Sequence, residues 1–345
     1  MFKMNKKIDI QRFAGNLNPN GTGTSTLSPE MKTFYDKTLL DEAQPELVHD
    51  QFGQERNIPK NGGKTIEFRK FSSLPKALTP LTEGVTPDGK ALTVTAKTAT
   101  VSQYGDYVAL TDMLELTAID NTIVEALSII GSQAGRTLDT VTREKLQGGT
   151  NVMYVPTPGA NGAETAVTSR ANLTKKNVLT VKQVFKVAAA LKAANAKKIN
   201  GDWVAIIHPY VAYDLMMEAG DEWVDINKYK NPEQIYEGEI GKIGGVRFVQ
   251  TTEAKIWKGT DDNCADGVAV FGTLFLGANA YGKTSVNGGG LETIIKQKGS
   301  AGTADPLNQR STIGWKAVKT AEILTEEYMI RVESGSSWND EAEKN

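Results

Sequence analysis

The chain has 345 residues, of which 39% are hydrophobic, so it can bury a sizeable core in two packed regions or in one core with extensions. Its 39 Lys and Arg residues balance 41 Asp and Glu residues, which excludes a strong overall field toward nucleic acid or an anionic membrane. One cysteine, Cys264, and two histidines, His49 and His208, exclude an intrachain disulfide framework and a zinc cluster. The sequence has no run of about 18 apolar residues and no secretion signal, so we expect a protein that stays in a reducing cytoplasm.

The N-terminal region is predicted to be a flexible arm followed by a helix. Residues 15–28 are small and polar, with too few apolar groups to offset the entropy lost on ordering them. The first fifteen residues carry four basic side chains and one acidic side chain, a net charge of +3, so they either contact a polyanion or stay solvated. Ser28 and Pro29 are typical of a helix start, and we expect this helix to end near Pro45.

Two β-branched segments, 64–71 and 92–110, are predicted to form the two strands of one long hairpin. The connection between them, residues 72–91, contains three prolines and two glycines. About 20 residues without regular structure are uncommon inside a compact domain, and a two-stranded ribbon alone is only marginally stable. Both difficulties disappear if the ribbon docks on a neighbouring copy. The candidate intersubunit residues are Pro80, Glu83, Gly84, Pro87, Asp88 and Gly89.

A long amphipathic helix is the clearest element of the sequence. Apolar residues recur at steps of three and four, which places them on one helical face: Leu116, Ile119, Ile123, Leu127, Ile130, Ala134, Leu138 and Val141. Asp120, or Thr122 with Glu125 as a capping box, can begin the main run, and Gly148 with Gly149 can end it. Gly131 and Gly135 disfavour a helix interior, so we expect another element to pack closely against them.

The following region has a mixed α/β pattern. Its expected elements are an amphipathic helix with Val178, Val181, Val184, Phe185, Ala188 and Leu191 on one face, a buried strand at 203–207, a helix from Pro209 closed by Gly220, and strands that follow Gly245 and Gly267. The last third is predicted to be β-rich, at 291–296 and 311–332. Leu324, Tyr328, Ile330 and Val332 are expected on one side of the last strand, and the tail beyond Gly335 is expected to fray.

Residues Gly277–Thr284 match the phosphate-binding pattern G-x-x-x-x-G-K-T. In such a loop the Lys-Thr pair begins a helix whose amide groups hold the anion. Here three consecutive glycines follow at 288–290, and they cannot sustain a helix. We therefore interpret the segment as a glycine-rich surface loop and keep nucleotide binding as an alternative.

Two other patterns favour structural roles. Asp262, Asp266 and Gly267 imitate the start of a calcium loop, but Cys264 stands at the third position and Thr273 replaces the bidentate Glu. We expect a solvated turn there. His208 precedes Pro209 at a helix start and has no partner by spacing, so we expect a structural or capping histidine.

The order of these parts, together with several local strings, resembles the Hong Kong 97-type major capsid proteins of tailed bacteriophages. DIQRFAG at 9–15 resembles the start of structural proteins from phages of low-GC Gram-positive bacteria. The strings at 81–89, 277–283 and 305–334 are similar to the branch typified by the N-four coliphage. The resemblance covers almost the whole chain, and the string at 305–334 is its most specific part.

The resemblance implies an α+β fold with an N-terminal arm and helix at 1–59, an extended hairpin loop at 60–110 and an axial domain at 171–284. A peripheral domain would combine 111–150 with 285–335 and carry the motif Gly314, Trp315 and Lys316, and 336–345 would be a flexible tail. It implies no catalytic, cofactor-binding or metal-binding residue.

The implied function is self-assembly from pentamers and hexamers into an icosahedral shell. This shell encloses double-stranded DNA without sequence-specific contacts and works with portal and scaffolding or decoration proteins, without a membrane. A nanocompartment shell of the encapsulin type, with the same fold, and a nucleotide-dependent enzyme are the alternatives.

Overall fold

The computed structural model describes residues 29–58, 63–71, 74–81, 83–86, 88–117, 122–159, 163–220, 224–225, 238–285, 291–300 and 305–345. The described helices are α1 (Pro29–Ala43), α2 (Asp112–Thr117), α3 (Thr122–Gln147), α4 (Val181–Ala193) and α5 (Pro209–Ala219). The described residues form two compact units. The first lies within Met1–Glu46, Gln103–Gly135 and Val286–Ala317, and the second within Leu47–Ser102, Arg136–Ser285 and Val318–Asn345.

The described strands are from two to ten residues long. The first nine are β1 (Gln54–Arg56), β2 (Thr65–Phe71), β3 (Val94–Thr100), β4 (Ser102–Thr111), β5 (Val152–Tyr154), β6 (Thr157–Pro158), β7 (Glu164–Thr165), β8 (Trp203–Ile207) and β9 (Val224–Asp225). The others are β10 (Glu239–Ile243), β11 (Val246–Gln250), β12 (Ile256–Lys258), β13 (Ala269–Leu276), β14 (Tyr281–Thr284), β15 (Leu291–Lys296), β16 (Arg310–Lys319), β17 (Ala321–Ile323) and β18 (Met329–Ser334).

The first unit joins α1, α2 and the start of α3 to a three-stranded sheet in the order β15-β16-β4. The predicted helix from Pro29 is confirmed, and a short 3-10 turn at Gln44–Glu46 ends it beside Pro45. The close packing expected at two glycines of α3 is also confirmed. A Cβ on Gly131 would lie 2.7 Å from Glu42 Cβ, and a Cβ on Gly135 would lie 2.5 Å from the Ala43 carbonyl oxygen.

The predicted long helix is confirmed in its main run. It begins at Thr122 and ends at Gln147, directly before Gly148, and Leu127, Ile130, Ala134 and Leu138 of the predicted face are buried. Leu116 belongs to the separate helix α2, while Ile119 and Asp120 lie outside the described residues.

One strand prediction was wrong in extent. Residues 92–110 do not form one arm of the hairpin, because β3 ends at Thr100 and β4 begins at Ser102. The two strands have different partners: β3 pairs with β2, whereas β4 pairs with β16. The β-branched residues at 92–110 favour extended backbone throughout this segment. They do not determine which other strand each part pairs with.

The second unit contains an eight-stranded mixed sheet in the order β5-β18-β13-β8-β11-β10-β9, with β12 added to β13. All five residues of β8 and all eight of β13 are buried, which confirms the strands predicted at 203–207 and after Gly267. Helices α4 and α5 cover this sheet through one apolar cluster. The predicted end of α5 is confirmed, since Gly220 caps it at a φ of 49°.

The predicted face of α4 needs a correction. Val178 lies before the helix, which begins after the N-cap Thr180, whose hydroxyl accepts a hydrogen bond from the Gln183 amide. The buried stripe is therefore Val184, Val187, Ala188 and Leu191, and Phe185 is 49% exposed. The helical period is as predicted. However, α4 begins only after its N-cap Thr180, and Val187 takes the place of Phe185 on the buried face.

The last third is β-rich, as predicted, with β15 at Leu291–Lys296, but the extent of the last strand and the state of the tail were predicted incorrectly. The last strand is Met329–Ser334, and a 3-10 turn at Glu326–Tyr328 separates it from Leu324. The tail beyond Gly335 is not frayed but bound along the second unit. Asn339 is 1% exposed, accepts a hydrogen bond from the Ala269 amide at 2.6 Å and donates one to the Gly267 carbonyl at 2.8 Å. Hydrogen bonds from Asn339 therefore act together with apolar contacts of Ala342 and Trp338 to hold the tail.

A charged network is buried in the second unit. The Lys319 ammonium pairs with Asp50, and Asp50 also accepts a hydrogen bond from the Thr142 hydroxyl at 2.7 Å. Beside them, the His49 ring bonds to the Asp139 carboxylate at 2.6 Å, and the Tyr281 hydroxyl donates to the His49 carbonyl. These groups join the segment at 49–50 to α3, β14 and β16 inside this unit.

Candidate intersubunit loop

A two-stranded antiparallel ribbon, formed by β2 and β3 and predicted by the sequence, stands at the start of the second unit. Thr65 pairs with Thr100 at one end of the ribbon, and Phe71 pairs with Val94 at the other end. The chain between Phe71 and Val94 is the candidate intersubunit loop.

The first end of the ribbon is anchored within its own unit. Ile66, Phe68 and Ala99 are buried and form one cluster with Leu324. Phe68 is fully buried, and its ring fills the space beside the backbone of Gly282, where a Cβ would lie 2.4 Å from Phe68 Cε1. This anchor requires a glycine at the contact.

The other end of the ribbon carries little packing. In β3, the residues from Val94 to Thr98 are all exposed. Arg69 and Glu67 form an ion pair at 2.9 Å, but both side chains are largely exposed, so the pair adds little to stability. The distal half of β3 therefore gains little packing from its own chain.

The candidate loop has no helix or strand among its described residues, 74–81, 83–86 and 88–93, and all of them are exposed. Five large apolar side chains are exposed along it by 49% to 82%: Leu74, Leu78, Leu81, Val85 and Leu92. The predicted positions Pro80, Glu83, Gly84, Asp88 and Gly89 lie on the same exposed segment, with Gly84 at a φ of 75°, and Pro87 lies outside the described residues.

The turn residues of this loop were predicted from the sequence, but its leucines were not predicted to be functional. The available signal was the presence of Leu74, Leu78 and Leu81 in a proline-rich span, where solvated loops normally carry polar side chains. Exposed apolar groups concentrated on one segment mark an interaction surface.

The phosphate-loop pattern at Gly277–Thr284 forms neither a nucleotide site nor the surface loop that the sequence predicted. Tyr281–Thr284 is strand β14, parallel to β1 and antiparallel to β17. Lys283 and Thr284 thus lie inside a sheet and not at the first turn of a helix, and the Lys283 ammonium lies 3.8 Å from the Glu55 carboxylate. The Tyr281 side chain is fully buried, which is inconsistent with a surface loop.

The motif Gly314, Trp315 and Lys316 lies on β16 of the first unit. A Cβ on Gly314 would lie 2.8 Å from the Asp106 carbonyl oxygen, so glycine permits the close approach of β4. Trp315 is buried and donates to the Gln133 amide oxygen at 3.3 Å, and Lys316 lies 3.5 Å from Glu292. These contacts make the motif part of the packing within this unit.

The remaining sequence candidates have structural roles. His208 is the N-cap of α5, as predicted, and its Nδ1 accepts a hydrogen bond from the Tyr210 amide at 3.2 Å. Burial lowers the pKa of His208 to about 4, so at neutral pH the ring is neutral and can accept this hydrogen bond.

The calcium-like pattern forms a turn. Asp262 ends a 3-10 turn, where its carboxylate accepts a hydrogen bond from the Lys258 amide at 3.2 Å. Burial raises the pKa of the Cys264 thiol to about 11.

Within the described ranges, no group of three or more His, Cys, Asp or Glu side chains is placed to hold a metal ion. No helix in the described part of the chain is long and apolar enough to cross a membrane.

A family model described as phage capsid protein matches residues 85–305, which is more than half of the chain. The chain belongs to the phage capsid protein family. A phage capsid protein is a structural component of the virion shell, and the exposed loop is the kind of surface that such a subunit needs to contact its neighbours. No curated protein sequence matches this phage capsid protein.

Solved phage capsids share the α+β, Hong Kong 97-type fold of the chain. The capsid protein of Ralstonia phage GP4 is 14% identical, with a TM-score of 0.63, and the match covers 83% of this chain and 87% of that one. The capsid protein of cyanophage P-SCSP1u is 15% identical, with a TM-score of 0.58, over 84% and 89% of the two chains. The SrpI encapsulin of Synechococcus elongatus is 8% identical, with a TM-score of 0.52, over 87% and 91%. This encapsulin thus has a similar fold, as expected for the nanocompartment alternative.

Proposed function

We propose that this phage capsid protein is the major capsid protein of a tailed phage and assembles into pentamers and hexamers of an icosahedral shell through its ribbon and loop. The observation that carries this proposal is the set of five exposed apolar side chains on a loop without regular structure. Burial of one such side chain is worth about 1.5–3 kcal/mol, so a neighbouring copy that covers several of them supplies the stability that the ribbon lacks.

The division of labour follows the resemblance of the sequence. Residues 60–101 form the extended loop, because β4 (Ser102–Thr111) pairs with β16 and belongs with the peripheral domain, which combines 102–150 with 285–335. Residues 171–284 form the axial domain around the five- and six-fold centres. The strings at 81–89, 277–283 and 305–334 support a place in the branch typified by the N-four coliphage. The subunit is made in the bacterial cytoplasm, and its shell works with portal and scaffolding or decoration proteins.

The shell encloses double-stranded DNA without reading its sequence. The near balance of 39 basic and 41 acidic residues supports this, because the inner surface of a shell needs only to avoid strong repulsion of the packaged genome. Sequence-specific base contacts have no role in such an interior.

A nanocompartment shell is the second candidate, because the SrpI encapsulin has a similar fold. Negative-stain microscopy of the purified chain, followed by analysis of particles isolated from the native host, separates the two. Shells that contain double-stranded DNA support the capsid function. Small particles filled with an enzyme and free of DNA support the nanocompartment, and a chain that forms no particles under any condition contradicts both.

A further inference from the structure

A basic groove of about 990 Å³ lies beside the C-terminal end of strand β2 in the second unit. It is lined by β1, by the end of β2, by the turn after α4 and by the segment before β18. Its lining contains the four basic residues Arg56, Arg69, Lys70 and Lys197 but only one carboxylate, Glu327. A cleft lined by charges of one sign concentrates the field and attracts an oppositely charged partner.

Three of these cations lack a carboxylate partner. Arg69 is paired with Glu67 at 2.9 Å. Among the described residues, no carboxylate lies within ion-pair distance of Arg56, Lys70 or Lys197, and the Lys70 ammonium lies 6.0 Å from the centre of the Tyr328 ring. The ion pair of Arg69 with Glu67 is neutral overall. The three unpaired cations and the single carboxylate of Glu327 therefore give the groove a net charge of about +2 at neutral pH.

One exposed stretch of the loop, residues 81–89, carries the complementary charge, whereas the loop as a whole is neutral because Lys76 and Lys90 offset its two carboxylates. Between Leu81 and Gly89 it has two carboxylates, Glu83 and Asp88, and no Lys or Arg. Both carboxylates are exposed, and in the described part of the chain neither has a cation partner. The loop also has exposed apolar side chains at Leu81 and Val85, and the groove offers the partly exposed Tyr328 ring.

We propose that the groove receives the loop of a second copy of this chain, with Glu83 and Asp88 paired against Arg56, Lys70 and Lys197. This inference rests on the proposed function and names the acceptor for the intersubunit loop. Donor and acceptor are different surfaces of one chain, so the contact is heterologous and can be repeated around a ring of copies. The amide side chains of Asn195 and Asn279, which also line the groove, can donate hydrogen bonds to the backbone carbonyls of the loop.

Charge reversal on each side, in the full-length chain, tests the assignment. The loop variant combines Glu83→Lys with Asp88→Lys, and the groove variant combines Lys70→Glu with Lys197→Glu. Like charges across an interface cost several kcal/mol, so each variant should lower the sedimenting fraction of the chain at low salt about tenfold or more. The four substitutions together restore opposite charges and should recover most of the particles. The matched control, Lys176→Glu, reverses an exposed lysine of the same unit outside the groove and should assemble normally.

Restored assembly in the combined variant also shows that the substituted chain folds. Loss of particles in both variants without recovery in the combination would overturn the assignment. So would a groove variant that forms normal shells but holds less DNA, since the groove would then face nucleic acid. If both charge variants assemble normally while removal of the loop abolishes particles, the acceptor lies elsewhere and only this inference fails. An unmodified chain that forms no particles would count against the proposed function itself.

Discussion

The ring of Phe68 on β2 occupies the space that a side chain at position 282 on β14 would need, with Phe68 Cε1 only 2.4 Å from a Cβ built on Gly282. The contact fixes one end of the ribbon to the three-stranded sheet of its own unit, while the loop beyond the other end stays exposed. The ribbon is thus held at its base and unsupported at its tip, as expected of an element that is completed by another copy.

Gly282→Ala should destabilise the subunit by about 1–3 kcal/mol, because the added methyl group forces Phe68 out of its packed position. Urea unfolding of the unassembled chain measures the loss. Gly89→Ala is the matched control, since a Cβ at this loop glycine meets no atom within 4 Å, and it should leave the free energy of unfolding unchanged. Equal effects of the two substitutions would show that the Phe68 contact does not anchor the ribbon.

Lys319→Met removes the partner of the buried Asp50 carboxylate and should cost about 3–5 kcal/mol, because an uncompensated buried charge remains. Combining Lys319→Met with Asp50→Asn removes that charge and should recover part of the loss in denaturant unfolding. A single variant as stable as the unmodified chain would contradict the buried pair.

The stability of the subunit should fall as the pH drops from about 6.5 to about 4. The pKa of His208 is lowered to about 4 by burial beside Tyr210 and Phe271, so the unfolded chain binds a proton in this window that the folded chain does not. His208 contributes up to roughly 3 kcal/mol to the free energy of unfolding. This contribution is fully present above the pKa of the unfolded state and is lost as the pH falls through the pKa of the folded state. His208→Asn keeps a capping acceptor but does not titrate, so urea unfolding across this range should show a weaker pH dependence. Identical pH profiles for the two proteins would refute the assignment.

Asn339→Ala should cost about 1–3 kcal/mol, because it leaves the buried Ala269 amide and Gly267 carbonyl without their partner. Hydrogen exchange should show faster exchange at Ala269 and along the tail. The neighbouring Glu341→Ala, at an exposed position, should have little effect. Unchanged exchange in Asn339→Ala would show that the tail is not held by this side chain.

Local periodicity and end signals predicted most elements of the fold. The strand Trp203–Ile207, the helix closed by Gly220 and the close contacts at Gly131 and Gly135 all follow from apolar spacing, caps and the cost of glycine in a helix. These features depend on residues that are near in sequence, and so they can be predicted from one chain.

The errors arose where long-range partners decide the outcome. The pairing of β4 with β16, the buried strand at Tyr281–Thr284 and the bound tail each depend on residues far along the chain. For the candidate loop, the sequence predicted the segment and its turn residues but not the exposed leucines. Apolar residues in a single sequence predict burial without indicating whether the covering surface belongs to the same chain or to another copy.

Deletion of residues 75–88 tests the central claim most directly. The deleted span is exposed throughout its described part and contributes nothing to the buried clusters, so the shortened chain should fold with the circular dichroism spectrum and thermal unfolding of the full chain. Sedimentation and negative-stain microscopy should then show soluble subunits and no shells, because the loop that covers the neighbouring copy is gone. Normal shells formed by the deletion variant would contradict the account.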